Sequence, residues 1–181
     1  MKKGFTLVEL VVVVGIITLL GGLILANTGQ FNSRSQITIA AQNVGSAMRK
    51  AQTFGSGVRQ AAPGIFPGYG VHIDRGGNSI IIFADTYPGS PNRVYDSGND
   101  ILLETIILEG GITVSDICAI GSQTRCNRAS VDVVFLRPDP TIFITSPGVS
   151  NITNTYITLS APRFNLTKLV RVWITGQIAI E

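Results

Sequence analysis

Residues 2–26 read KKGFTLVELVVVVGIITLLGGLILA, and the reading of this stretch decides the fold. Between residues 5 and 26 the only clearly polar side chains are Thr6, Glu9 and Thr18. A helix of that length covers about 33 Å at about 1.5 Å per residue, the thickness of a hydrocarbon core. Val, Ile and Gly form helices poorly in water, but in lipid a helix satisfies every backbone group internally. Lys2 and Lys3 precede the run. Basic residues flanking a span stay in the cytoplasm, so the rest of the chain is expected across the membrane. Glu9 is the difficulty, because a carboxylate inside a span is costly. A plain anchor gives it no reason. A secretory signal peptide cleaved near Ala26 gives none either, and its apolar core would be only about 7–15 residues.

KKGFTLVE closely resembles the leader and first residues of type IV pilins and of the pseudopilins of type II secretion systems. In that family a short basic leader ends in glycine, here Gly4. The resemblance implies that a membrane aspartyl peptidase cuts after Gly4 and methylates the new N-terminus at Phe5. A glutamate stands fifth in the mature chain, here Glu9. Cleavage would leave a positive amine on Phe5. When subunits stack, the amine of one can meet the Glu9 carboxylate of its neighbour. A paired charge in a low-dielectric core costs far less than an unpaired one, so the pair would set axial register in a filament.

The chain has 181 residues, room for one ordinary domain with an extension. Charged residues are 14%, against roughly 25% in a typical soluble domain. The formal net charge is +3, and without Lys2 and Lys3 the 12 remaining basic residues face 11 acidic ones. A general nucleic-acid footprint is therefore not indicated.

Four sections are expected: a leader at 1–4, a transmembrane and filament-core helix at 5–26, its amphipathic continuation at 27–56, and a β-rich head at 57–181. The third section rests on a stripe. Ile37, Ala41, Val44, Met48 and Ala51 form one apolar helical face, while Arg34, Gln42, Arg49 and Lys50 fall elsewhere. ANTGQFNSRSQ (26–36) would weaken an isolated helix, Gly21 and Gly22 could allow close helix approach or local unwinding, and Gly55-Ser56-Gly57 should end the helix. Beyond it, GYGVHID (68–74), the turn RGGN and SIIIFAD (79–85) read as a hairpin. ILLETIIL (101–108), ITVSDIC (112–118), SVDVVFL (130–136), TIFIT (141–145), TYITLS (155–160), KLVRVWI (168–174) and QIAIE (177–181) read as further strands. The fold class expected is α+β: a long N-terminal α-helix packed on an all-β head of two sheets.

GYGVHID, IIIFADT, YDSGNDILLET, GITVS, VVFLRPDP and the closing GQIAIE resemble the GspH/FimT branch, the minor pseudopilins of type II secretion and minor pilins of type IV pili. That resemblance implies a structural subunit rather than an enzyme. It implies a single pass through the bacterial inner membrane, with the head in the periplasm or outside. It implies as partners other pilin or pseudopilin subunits, prepilin peptidase and an inner-membrane assembly platform. A major pilin, or a DNA-binding minor pilin of a competence pilus, are the alternatives.

The remaining residues of interest each have a plain reading. Asp85, Asp96 and Asp100 lie in an oxygen-rich loop that could bind calcium, although loops rich in Asp and Asn mostly cap their own backbone. Cys118 and Cys126 suit one local disulfide in an oxidising compartment; the alternative is two free thiols, and two cysteines are too few for a zinc site. His72 lies on a strand with no catalytic partner evident, and no nucleophile–base set, phosphate loop or HExxH motif occurs. No cofactor is expected. Arg163, Lys168 and Arg171 form a modest basic cluster; some FimT-like pilins bind DNA through a basic C-terminal region, but a solvated face is expected here. Trp173 reads as core or sheet surface. Asn151 and Asn165 match the glycosylation sequon, without expected consequence in a bacterial pilin.

Overall fold

The computed structural model describes residue 4 and residues 6–57, 68–86, 92–136 and 142–181, with only the backbone of 25–28 and 30. Lys2, Lys3, Phe5, Pro88, Pro91 and Thr141 lie outside the described residues, as does part of the expected head.

One helix, α1 (Leu7–Ser56), dominates the molecule. Its 50 residues span about 75 Å at the usual rise. The helix continues through Gly21, Gly22 and residues 26–36 without interruption. Polar side chains there bond back to the helix instead of competing with it: the Ser33 hydroxyl donates to the Gly29 carbonyl at 3.2 Å, and Thr38 to that of Arg34 at 2.8 Å. The second half is amphipathic in fact. Ile37, Ala41, Val44, Met48 and Ala51 are buried, joined by Ala40 and Ala47, and Arg34, Gln42, Arg49 and Lys50 are exposed.

Ten strands follow. In chain order they are β1 (Gly68–Asp74), β2 (Ser79–Asp85), β3 (Ile101–Ile107), β4 (Thr113–Ile120), β5 (Thr124–Arg125), β6 (Ser130–Phe135), β7 (Ile142–Thr145), β8 (Asn154–Ala161), β9 (Leu166–Trp173) and β10 (Ile178–Ile180). A 3-10 turn, η1 (Pro162–Phe164), joins β8 to β9. They form two five-stranded antiparallel sheets, β3-β2-β1-β6-β7 and β10-β9-β8-β4-β5. The α+β architecture is the one expected.

One core serves the helix and both sheets. Val71, Ile73, Ile80, Ile82, Val131 and Val133 come from the first sheet, and Val114, Ile117, Ile157, Leu159, Val170 and Val172 from the second. Turns fasten the sheets to one another. Gly76 N–H donates to the Val114 carbonyl at 2.7 Å, and Val114 N–H returns a bond to Gly77 at 2.9 Å. The β3–β4 turn needs left-handed backbone twice, at Gly110 (φ 73) and Gly111 (φ 70), which explains the glycine pair.

Two details go beyond the expected pattern. The helix ends within Gly55-Ser56-Gly57 as expected, running to Ser56, and Gly57 caps it in extended conformation, its N–H bonded to the Thr53 carbonyl. Gly55 also serves packing: a Cβ there would lie 2.6 Å from the Phe135 Cβ and 2.9 Å from its carbonyl oxygen. The absent side chain lets α1 touch β6. The second detail is β5, formed inside the segment between the cysteines, where Ala119 pairs with Arg125 and Ile120 with Thr124. Two residues are too few to show an alternating pattern.

Candidate functional site

The N-terminal half of α1 is the most unusual surface of the molecule. The stretch Leu7–Ile24 is long and apolar enough to cross a membrane, and none of it is buried within the molecule. Leu7 is 80% exposed, Val8 70%, and Leu23 and Ile24 remain 65% and 69% exposed. So much apolar surface is not compatible with water on all sides; it needs lipid or other protein against it. Within this stretch the hydroxyl of Thr18 is satisfied, donating to the carbonyls of Val14 and Gly15 at 3.0 and 2.9 Å. The carboxylate of Glu9 is exposed and has no ion-pair partner among the described residues.

Thr6 begins the helix. Its backbone is extended (φ −84, ψ 148) and its Oγ1 accepts the Glu9 N–H at 3.3 Å. Thr6-Leu7-Val8-Glu9 therefore has the spacing of a capping box, with the acid three residues after the cap and at the positive end of the helix dipole. Sequence reasoning did not assign this local role, though the T-x-x-E spacing was there to be read. Gly4 lies two residues before this cap and is exposed, and Phe5 lies outside the described residues.

The loop acids work on their own backbone. Asp85, buried at the end of β2, accepts from the N–H groups of Asn92 (3.3 Å) and Arg93 (2.7 Å). Asp100 accepts from Thr86 N–H (2.9 Å) and Asp96 N–H (2.7 Å), and Asp96 accepts from the Asn92 side chain at 2.6 Å. Asp85, Asp96 and Asp100 do not bring three ligand atoms within 4.8 Å of one another; among the described residues the group that does is Asp116, Cys118 and Cys126. Burial raises the Asp100 carboxyl above its ordinary range, against the two backbone N–H groups that lower it, with the charges of Asp85 and Asp96 adding to the rise.

These bonds fold the loop over the outer face of the first sheet. Tyr95 stacks between His72 and Phe83, with ring centroids 5.0 and 5.1 Å away. The Arg93 guanidinium lies 3.7 Å above the Phe143 ring. His72 is mostly buried, its Nδ1 2.7 Å from Asp132 and its Nε2 3.2 Å from Asp74. Burial lowers the His72 pKa, but the hydrogen bond and charge of Asp132, then the charge of Asp74, raise it further, so the net direction is up. Asp132 also accepts the Tyr95 N–H at 3.3 Å, so the cluster positions the loop. The β1–β6 register sets His72 opposite Asp132, 60 residues apart.

Cys118 and Cys126 are joined in a disulfide that closes the β4–β5 hairpin. Both sulfurs are thereby spent, and Asp116 beside them accepts the N–H groups of Ile117 and Asn127, each at 2.8 Å. The three do not make a metal site in this state.

Arg163, Lys168 and Arg171 are not one patch. Arg163 is on η1, while Lys168 and Arg171 project to opposite faces of β9 by the strand period. Arg171 stacks between Tyr156 (4.5 Å) and Trp173 (4.4 Å) on the outer face of the second sheet. Asn151 and Asn165 both hold left-handed backbone, at φ 54 and φ 50.

Residues 1–25 match the family model of the prokaryotic N-terminal methylation motif. No curated protein and no solved structure matches the chain. The motif match supports a type IV pilin-like N-terminus, of the kind that prepilin peptidase processes. Together with the exposed apolar helix, it points to membrane anchoring.

Proposed function

We propose that the chain is a minor pilin or pseudopilin of the GspH/FimT type, a subunit of a type II secretion pseudopilus or a type IV pilus. The observation that carries this reading is the methylation motif at residues 1–25 running directly into an apolar helix with no cover of its own. In this reading residues 1–4 are the leader, cleavage follows Gly4, and Phe5 is methylated. The helix waits in the inner membrane with its N-terminus in the cytoplasm and the head in the periplasm. An assembly platform extracts the subunit, and the apolar surface that leaves lipid is re-buried against neighbouring helices. Residues 27–56 hold the head to this core. Glu9 pairs with the amine of an adjacent subunit.

The dispersal of Arg163, Lys168 and Arg171 gives the DNA-uptake alternative no basic face to rest on. The test is assembly in cells that carry the pilus or secretion machinery. The chain is expected in the sheared filament fraction when prepilin peptidase is present, and only in the membrane fraction when it is deleted. Equal recovery in both strains would overturn the proposal.

A further inference from the structure

The head meets α1 very close to where the apolar span ends. Leu7–Ile24 is the stretch apolar and long enough to cross a membrane, within the expected segment 5–26. Phe164, at the end of η1, lies against Gly29, where a Cβ would be 3.5 Å from its ring. Five residues of helix separate Ile24 from Gly29, about 7.5 Å along the axis. The headgroup layer on each side of a bilayer is about 5–7 Å deep. A chain seated in a membrane by Leu7–Ile24 therefore holds η1 at the headgroups. This inference rests on the membrane-anchored reading above.

The orientation of the head agrees. The turn after β9 meets α1 high up, at Gln52, which lies against Gly176. Since η1 starts β9 at the level of Gly29, β9 runs along the helix, and η1 is its lower end. The β3–β4 turn meets α1 at Gln36, about 18 Å beyond Ile24, so Glu109 is well above the surface. The composition of η1 suits an interface. Pro162 and Arg163 are exposed and Phe164 is half-buried. Arg163 lies 5.8 Å from the Phe164 ring and has no ion-pair partner among the described residues. Two residues beyond Gly29, on the far side of α1, Phe31 is 73% exposed and falls at the same level. Aromatic rings flanked by a cation are what a headgroup layer accommodates.

We infer that η1 is a foot by which the unassembled subunit rests on the membrane, with Phe164 in the headgroup layer and Arg163 on anionic lipid phosphate. The foot holds the head upright beside its span and must lift off when the subunit is extracted. It adds a lipid contact that the helix alone does not supply.

The full chain, reconstituted in vesicles of phosphatidylglycerol and phosphatidylethanolamine, tests this by fluorescence quenching. Trp173 is the only tryptophan and lies about 23 Å along β9 from Leu166, so it serves as the distant reporter. Phe164→Trp in a Trp173→Phe background reports the foot, with Pro162→Trp in the same background as a second reporter should the first misfold. Ile16→Trp in that background reports insertion. Headgroup-labelled quencher lipid is expected to quench positions 164 and 162 strongly and Trp173 weakly. A quencher deep in the acyl chain is expected to reach position 16 alone. Arg163→Ser should lower the docked population about fivefold in anionic vesicles, the effect of about one basic charge at such a surface. Deep quenching at 16 with 164 and 162 no more quenched than 173 would overturn the foot and leave the anchor intact. Absence of deep quenching at 16 would overturn the anchor, and the foot with it.

Discussion

Glu9→Gln and Glu9→Val are both expected to leave the chain inserted in the membrane and processed, and to remove it from assembled filaments. Glu9 has two physical roles that these variants separate. It stands third after the Thr6 cap, where an acid or an amide stabilises the start of a helix. It is also an exposed carboxylate in an apolar segment, without a partner among the described residues. Glutamine keeps the capping geometry and the side-chain length but removes the charge. Valine removes both. If the cap were what matters, glutamine would assemble nearly as well as glutamate. If the charge matters, a neighbour's amine is left buried and unpaired, which costs about 3–5 kcal/mol, or more than a hundredfold in assembly. The loss of one cap contributes only about 1 kcal/mol. The filament fraction from cells expressing each variant decides between them. Normal assembly of Glu9→Gln would remove the pairing account.

Gly55→Ala is expected to destabilise the chain by about 2 kcal/mol, although alanine is the better helix former by about 1 kcal/mol. The new Cβ would fall 2.6 Å from the Phe135 Cβ and 3.2 Å from its backbone carbonyl carbon. Backbone on β6 cannot yield as a flexible side chain does, so the strand or the helix must shift. Gly45→Ala is the contrasting case in the same helix. Its Cβ would meet Ile180 at 3.4 Å and Ile178 at 3.9 Å, which is ordinary contact. That variant should be neutral or slightly stabilising. Thermal unfolding of the full chain in detergent measures both, and the Gly55→Ala midpoint is expected to fall by roughly 5 °C or more. Two similar, higher midpoints would mean that propensity outweighs packing at Gly55.

The contrast between these glycines shows where the sequence can and cannot be read. GYGVHID and SIIIFAD were legible as β1 and β2 to the residue, because alternating β-formers are bounded by a glycine turn. The stripe Ile37, Ala41, Val44, Met48 and Ala51 was legible because burial on one helix face imposes a period of 3.6. Gly55 was not, since a stop signal and a close-packing contact use the same residue, and only the position of Phe135 distinguishes them. His72 and Asp132 were not, because their meeting depends on the β1–β6 register rather than on any local spacing. In the candidate site, the apolar run and Glu9 were legible from residue types alone. The cap on Thr6 was present in the sequence but hidden inside a stretch read for hydrophobicity. The foot was illegible, because η1 reaches the level of Gly29 only through the packing of β9 along α1.

The most direct measurement is the mass of the N-terminal peptide of the mature chain, isolated from cells that contain prepilin peptidase. The account predicts a peptide beginning at Phe5 and carrying one added methyl group on its amine. An intact start at Met1, or a chain beginning after Ala26, would contradict it.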